Sequence, residues 1–240
     1  MVVALATRVA PDRIEIDGEP IGEFIRRGDP AEMWFRMIQG RTPSQEESAV
    51  FGAILCSMAD HGDTPPSTQA ARLVASSGSP MQCSLAAALL AFGDHHAGAI
   101  ERAMELFSSC VRDREIPSVV ADRFISRGRR VPGFGHRVHR EDPRVRPLVE
   151  VGSALTHRPH LSFFLGVQDH LRSAKGIVGN VDGVCGALLL DLGFPPSAGR
   201  AVFFCGRIPG LVSWILREGE LGPFRPYRLV PSEEVAPCIA

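Results

Sequence analysis

Apolar residues recur every three to four positions along most of the chain, the period of helices that bury one face, whereas strict alternation is scarce. The pattern predicts helices at about 30–39, 43–59, 67–76, 81–92, 97–111, 119–127, 145–155, 161–173, 184–191, 197–205 and 211–218. One stretch departs from it. Residues 12–20, DRIEIDGEP, alternate briefly around an Asp17-Gly18 pair, so a short hairpin is expected there. The helix at 81–92 is nearly all Ala, Leu and Cys with almost no polar face, which predicts a central helix enclosed on all sides. The expected fold class is all-α.

A Gly/Pro/Arg segment, GRRVPGFGHRVHREDPR, breaks the helical texture after about residue 127 and places several conformationally permissive glycines beside many cations. Neither an internal repeat nor a low-complexity linker appears, so a second domain would be inserted between helices rather than appended. At 240 residues the chain can bury a core that needs no disulfide or metal support. Hydrophobic residues make up 45% and charged residues 22%, which excludes a disordered tail protein and a coiled-coil rod. The balance of 26 Lys and Arg against 27 Asp and Glu provides no basic field, which argues against nucleic acid as a partner. Lys175 is the single lysine, so nearly all cation chemistry falls to arginine, the better bidentate ligand for carboxylate and phosphate.

The six cysteines include no CxxC pair and stand mostly in apolar helical contexts, where a thiol acts as a small hydrophobe; they are read as reduced. The apolar stretch at the N-terminus is too short for a signal segment and no basic residue precedes it. No window approaches the apolar length of a membrane span, so the expected location is cytoplasmic, with no membrane partner.

Five segments carry candidate chemistry. In the first, Val131 to Arg144, Gly133 and Gly135 let main-chain N–H groups approach an anion, Arg137, Arg140 and Arg144 add charge-assisted donors, and His136 is held between them. In the second, Asn180-Val181-Asp182-Gly183, a carboxylate opens an apolar helix; cap and reacting group both remain open for it. The third, Gly93-Asp94-His95-His96-Ala97-Gly98, holds adjacent histidines that point different ways, and the missing helical i, i+4 spacing disfavours a metal. The fourth is a polar break around Asp60 and His61; the fifth comprises Arg207 in CGRIPG and Arg225 with Arg228 in FRPYR. Together they could bind a polycarboxylate and move protons beside it.

In this order, DHGDTPPSTQAARLVASSG, GDHHAGAIE, GFGHRV with DPR, NVDG, GR and RP, the segments resemble the citrate synthase family from about Asp60 to Arg228. The resemblance implies a citrate synthase-like helical fold, with a large domain at 1–111 and 206–240 and a smaller inserted domain at 112–205. It implies Asp182 as the base that takes a proton from the methyl group of acetyl-CoA, His96 as donor to the thioester oxygen and His136 as the group polarising the oxaloacetate ketone. His61, Arg144, Arg207 and Arg225 would hold the carboxylates of oxaloacetate or citrate, with Arg225 reaching the site from the second subunit of a homodimer. Coenzyme A would be held by the main chain of Val131, Pro132, Gly133 and Gly135 and by Arg140 and Lys175; the CoA thioester is a substrate, and neither a tightly bound cofactor nor a metal is implied.

Three departures bear on the reaction. Met58-Ala59-Asp60-His61 stands where the family has His-x-Asp-His, the loop from His136 to Arg144 is one residue shorter than in typical synthases, and much of the N-terminal helical region is absent. The compact layout resembles citryl-CoA lyases and the lyase module of ATP-citrate lyase, although that module carries an aromatic residue where His96 stands. The resemblance therefore implies condensation or cleavage through citryl-CoA, of citryl-CoA lyase type, with a full citrate synthase or a related 2-oxoacid/acyl-CoA synthase as the alternative. A non-catalytic CoA- or polycarboxylate-binding regulator is the reading outside enzymes.

Overall fold

The computed structural model describes residues 7–136, 139–221 and 223. A small antiparallel sheet opens the chain, with strands β1 (Thr7–Ala10), β2 (Arg13–Ile16) and β3 (Glu19–Pro20) in sequence order. The expected turn at Asp17-Gly18 joins β2 to β3, with both turn residues at positive φ. The pairing of β1 to β2 was not expected, because the β1 residues TRVA are all exposed and carry no buried alternation. Among the described residues eleven α-helices follow: α1 (Ile21–Arg27), α2 (Pro30–Gln39), α3 (Gln45–Ser57), α4 (Pro66–Ser76), α5 (Met81–Leu90), α6 (Gly98–Arg112), α7 (Pro117–Ile125), α8 (Val145–Gly152), α9 (Pro159–Lys175), α10 (Val181–Asp191) and α11 (Gly199–Glu220).

Local signals set most boundaries. Ser44 and Glu47 form a reciprocal capping box at the start of α3, and Asp29 caps α2 ahead of Pro30. The Asp191 carboxylate, at the end of α10, accepts from the His160 and Leu161 amides at 2.9 Å, so one buried side chain caps α9 and ties it to α10. The segments 197–205 and 211–218 prove to be one helix: Pro209 lies inside α11 without ending it. Among the described residues α1, held between Pro20 and the left-handed Gly28, is the helix that the periodicity missed.

The expectation of a central helix at 81–92 is overturned. In α5 only Ser84 and Ala88 are buried, and Leu90 is 88% exposed. The helix surrounded by protein is α10, where every residue from Val181 to Leu189 except Asp182 is buried. An all-round apolar sequence signals that a helix is covered, but not whether its own chain covers it. The main core runs from Phe35 through Phe51, Phe107, Phe164 and Leu188 to Phe203, and a smaller cluster of Ala71, Ala88, Leu211 and Ile215 joins α4, α5 and α11. No described helix is long and apolar enough to cross a membrane.

Candidate active site

Asn180 is the N-cap of α10, its side chain accepting from the Gly183 amide at 3.1 Å. Asp182 is therefore not the cap. It stands in the first turn, and its Oδ1 is buried with no hydrogen-bond partner. Burial raises its pKa from 3.8 to about 6, while Arg144, Arg207 and Arg102 pull the other way. Its place in the first turn of a helix favours the ionised form, and desolvation works against that. Asp182 remains mostly ionised at neutral pH and can hold a proton at little cost.

Close backbone packing delivers Asp182 to this place. Gly133 adopts φ +86°, and a Cβ there would lie 2.6 Å from the Gly183 Cα. Only two glycines let the 131–135 loop cross the first turn of α10 so closely. The Gly135 amide donates to Val178 O at 2.8 Å and the Asn180 amide to Gly133 O at 3.0 Å, so the loop is stitched to the segment entering α10. These main-chain groups, expected to hold coenzyme A, are thus partly engaged within the protein. Val131 is buried and Pro132 half-buried beside them, whereas Arg140 and Lys175 stand exposed at the margin.

Three imidazoles meet near the same place. The His61 ring lies 5.9 Å from that of His136 and 6.4 Å from that of His139, and His136 and His139 are 4.5 Å apart. The His139 amide donates to His136 Nδ1 at 3.1 Å, so a neutral His136 carries its proton on Nε2 and presents a donor. Burial, followed for His61 by Arg144 and Arg207, lowers the basicity of His61 and His136 and favours their neutral forms.

His96 Nε2 is 2.8 Å from the Oγ of the fully buried Ser67, and its ring stacks on Phe92 at 4.8 Å. Burial, then Arg207 and His61, lowers its pKa to about 4. His96 is thus an uncharged imidazole whose Nε2 is engaged by the Ser67 hydroxyl; when that hydroxyl donates, the ring proton resides on Nδ1, a second neutral donor. Neither His139 nor Ser67 was singled out from the sequence. Ser67 sits inside the DHGDTPPSTQ segment, but nothing in the spacing linked it to a histidine 29 positions later.

Arg207, 2% exposed, donates through Nε to the Met58 carbonyl and stacks on Phe203, while its NH1 is buried without a partner. Burial lowers its pKa to about 10, so it stays charged. Arg144 forms a bidentate pair with the buried Asp142, whose other contacts include the Val181 amide at 3.0 Å. The site therefore gathers two guanidiniums, one of them paired with Asp142, and the imidazoles of His61, His96 and His136 near the buried Asp182, donors suited to the carboxylates of a polyanion. Of the residues named from the sequence, His61, His96, His136, Arg144, Arg207 and Asp182 come together; Arg225 and Arg228 lie outside the described residues.

A family model described as citrate synthase, C-terminal domain, matches residues 2–226. The citrate synthase of Saccharolobus solfataricus is 32% identical over 188 residues, 73% of this chain and 49% of that protein. The probable ATP-citrate synthase of Dictyostelium discoideum is 30% identical over 191 residues, 75% of this chain but 30% of that protein. The chain thus spans about a third to a half of the length of these curated relatives. Among solved structures, citryl-CoA lyase from Hydrogenobacter thermophilus superposes with a TM-score of 0.85 at 29% identity, covering 96% of this chain and 97% of that one. Citrate synthase from Thermotoga maritima gives a TM-score of 0.68 at 25% identity, covering 84% and 57%.

Proposed function

Since this chain belongs to the citrate synthase family, we propose that it makes or cleaves the carbon-carbon bond between acetyl-CoA and oxaloacetate through citryl-CoA, working as a citryl-CoA lyase. The observation that carries this reading is the closer backbone correspondence with a citryl-CoA lyase, a TM-score of 0.85 over 96% of this chain against 0.68 over 84% for a synthase.

The residues suit the chemistry. In the condensing direction Asp182 takes a proton from the methyl group of acetyl-CoA, and the electrons move onto the thioester oxygen, which His96 Nδ1 holds as it gains charge. The new carbanion attacks the ketone of oxaloacetate, whose oxygen receives a hydrogen bond from His136 Nε2 and, on gaining a proton, becomes the citryl hydroxyl. Arg144, Arg207 and His61 hold carboxylates, and Arg225 joins them from a second subunit. Cleavage runs the same path backwards. The 131–135 loop with Arg140 and Lys175 receives the CoA, and the domain at 112–205 moves against the remainder to enclose it. Coenzyme A thioester is substrate here, and no tightly bound cofactor enters the reaction.

A homodimer fits the apolar surface that α4 and α5 leave uncovered, with Leu73 57% and Leu90 88% exposed. Five unpaired helical thiols support a cytoplasmic setting. The retained trio of His96, His136 and Asp182 also favours a second reading, a full synthase that hydrolyses citryl-CoA. Incubation with acetyl-CoA and oxaloacetate separates the two: thiol release at the rate of condensation indicates the synthase, whereas the lyase reading expects citryl-CoA with little free thiol.

A further inference from the structure

Three consecutive turns of α11 engage three consecutive residues of the loop that carries His61. Arg207 Nε donates to the Met58 carbonyl, Gly210 lies so close to the Ala59 carbonyl oxygen that a Cβ would collide with it, and Trp214 Nε1 donates to Asp60 Oδ1 at 3.0 Å. Positions 207, 210 and 214 fall on one helical stripe, and Gly206, where a Cβ would meet Leu55 O at 2.9 Å, and Glu218 flank it. The same Asp60 oxygen accepts from the Gly62 amide at 3.2 Å, closing a turn around His61. Trp214 is itself braced: the Arg72 guanidinium lies 5.2 Å from its ring and pairs with the buried Glu218 at 2.8 Å.

We propose that α11 is a ruler that sets His61 against Arg207, and that Trp214 is a positioning residue whose indole N–H fixes the Asp60 turn and thereby the His61 imidazole. Arg207 is rigidly part of the helix, while His61, only partly covered, sits on a loop between α3 and α4 and would otherwise take many orientations. The outer rung is the one made by side chains alone, so it is the one that substitution can remove without disturbing the helix. The inference rests on the proposed reading of the site for what His61 binds, but the placement of the ring can be read without turnover.

The test combines Trp214→Phe, which keeps the aromatic packing and loses the N–H, with Asp60→Ala and Asp60→Asn. Histidine ring signals are recorded by NMR, with His61 identified by its loss in His61→Gln. The expected result is a shifted or broadened His61 signal in Trp214→Phe and Asp60→Ala, with less change in Asp60→Asn, which keeps an acceptor oxygen. KM for citryl-CoA should rise about three- to tenfold, the worth of one hydrogen bond, and by more than kcat falls. In a His61→Gln background Trp214→Phe should add nothing further. An unchanged His61 signal, or an undiminished effect in that background, overturns the inference. Should Trp214→Phe not fold, Asp60→Ala on its exposed loop carries the same test. A wild-type protein that neither binds nor turns over citryl-CoA would sink the functional reading, while the NMR result would still decide the ruler.

Discussion

Asn180 takes the cap of α10, and Asp182, two residues later, is left with a buried oxygen that no donor satisfies. The division of labour has a thermodynamic consequence. A carboxyl whose pKa is raised from 3.8 to about 6 binds its proton more tightly in the native state than in the unfolded one. The stability it contributes is complete below pH 4 and is lost as pH rises through 6. Two units correspond to about 3 kcal/mol. Asp182→Asn should therefore be more stable than wild type at pH 8, by up to about 3 kcal/mol in urea unfolding, with the gap closing at pH 4.

The same substitution should remove activity. Loss of a positioned base costs about 10²- to 10⁴-fold in kcat, and because Asp182 is not a proposed CoA ligand, CoA binding measured by calorimetry should survive within about threefold. In wild type, kcat/KM for condensation should fall with a one-proton slope below pH 6, where Asp182 takes up its proton.

His96 obeys the opposite sign. Its pKa is depressed from 6.5 to about 4, so the stability linked to it is present above pH 6.5 and is lost as pH falls through 4. Ser67→Ala removes the hydroxyl hydrogen-bonded to its Nε2. Steady-state assays should show kcat down about tenfold with KM less affected, because the lost donor alignment matters most at the charged thioester oxygen.

Gly133 is held at φ +86° with a Cβ position 2.6 Å from the Gly183 backbone, so Gly133→Ala must displace the start of α10. It should cost about 3 kcal/mol in chemical unfolding and lower turnover. Gly62, at φ +78° with open space around it, is the control: Gly62→Ala should cost about 1 kcal/mol, for the backbone conformation alone.

Leu90 projects from α5 at 88% exposure, and Leu90→Arg should halve the mass seen by light scattering if that face joins two copies. An unchanged mass would place any dimer contact elsewhere.

Much of this architecture was legible in the chain. The helices at 30–39 and 67–76 agree with α2 and α4 to within a residue, because apolar period and proline at the first turn coincide there. What escaped was tertiary. The apolar run of α5 could not say that the described residues leave most of it uncovered, and the helix was expected to break between 205 and 211 because the flanking packing that keeps α11 continuous through Pro209 is invisible in sequence. The motifs located His96, His136 and Asp182, but not Ser67, Asn180 as the actual cap, or the Trp214–Asp60 contact, since each depends on partners far apart in the chain or on which of two adjacent polar groups reaches the backbone.

The most direct measurement supplies citryl-CoA to the wild-type protein and follows oxaloacetate through a coupled dehydrogenase while free thiol is monitored. The account predicts oxaloacetate and acetyl-CoA in equal amounts, little thiol, and loss of both products in Asp182→Asn. Citryl-CoA left intact, or consumed only to citrate and free CoA, would contradict it.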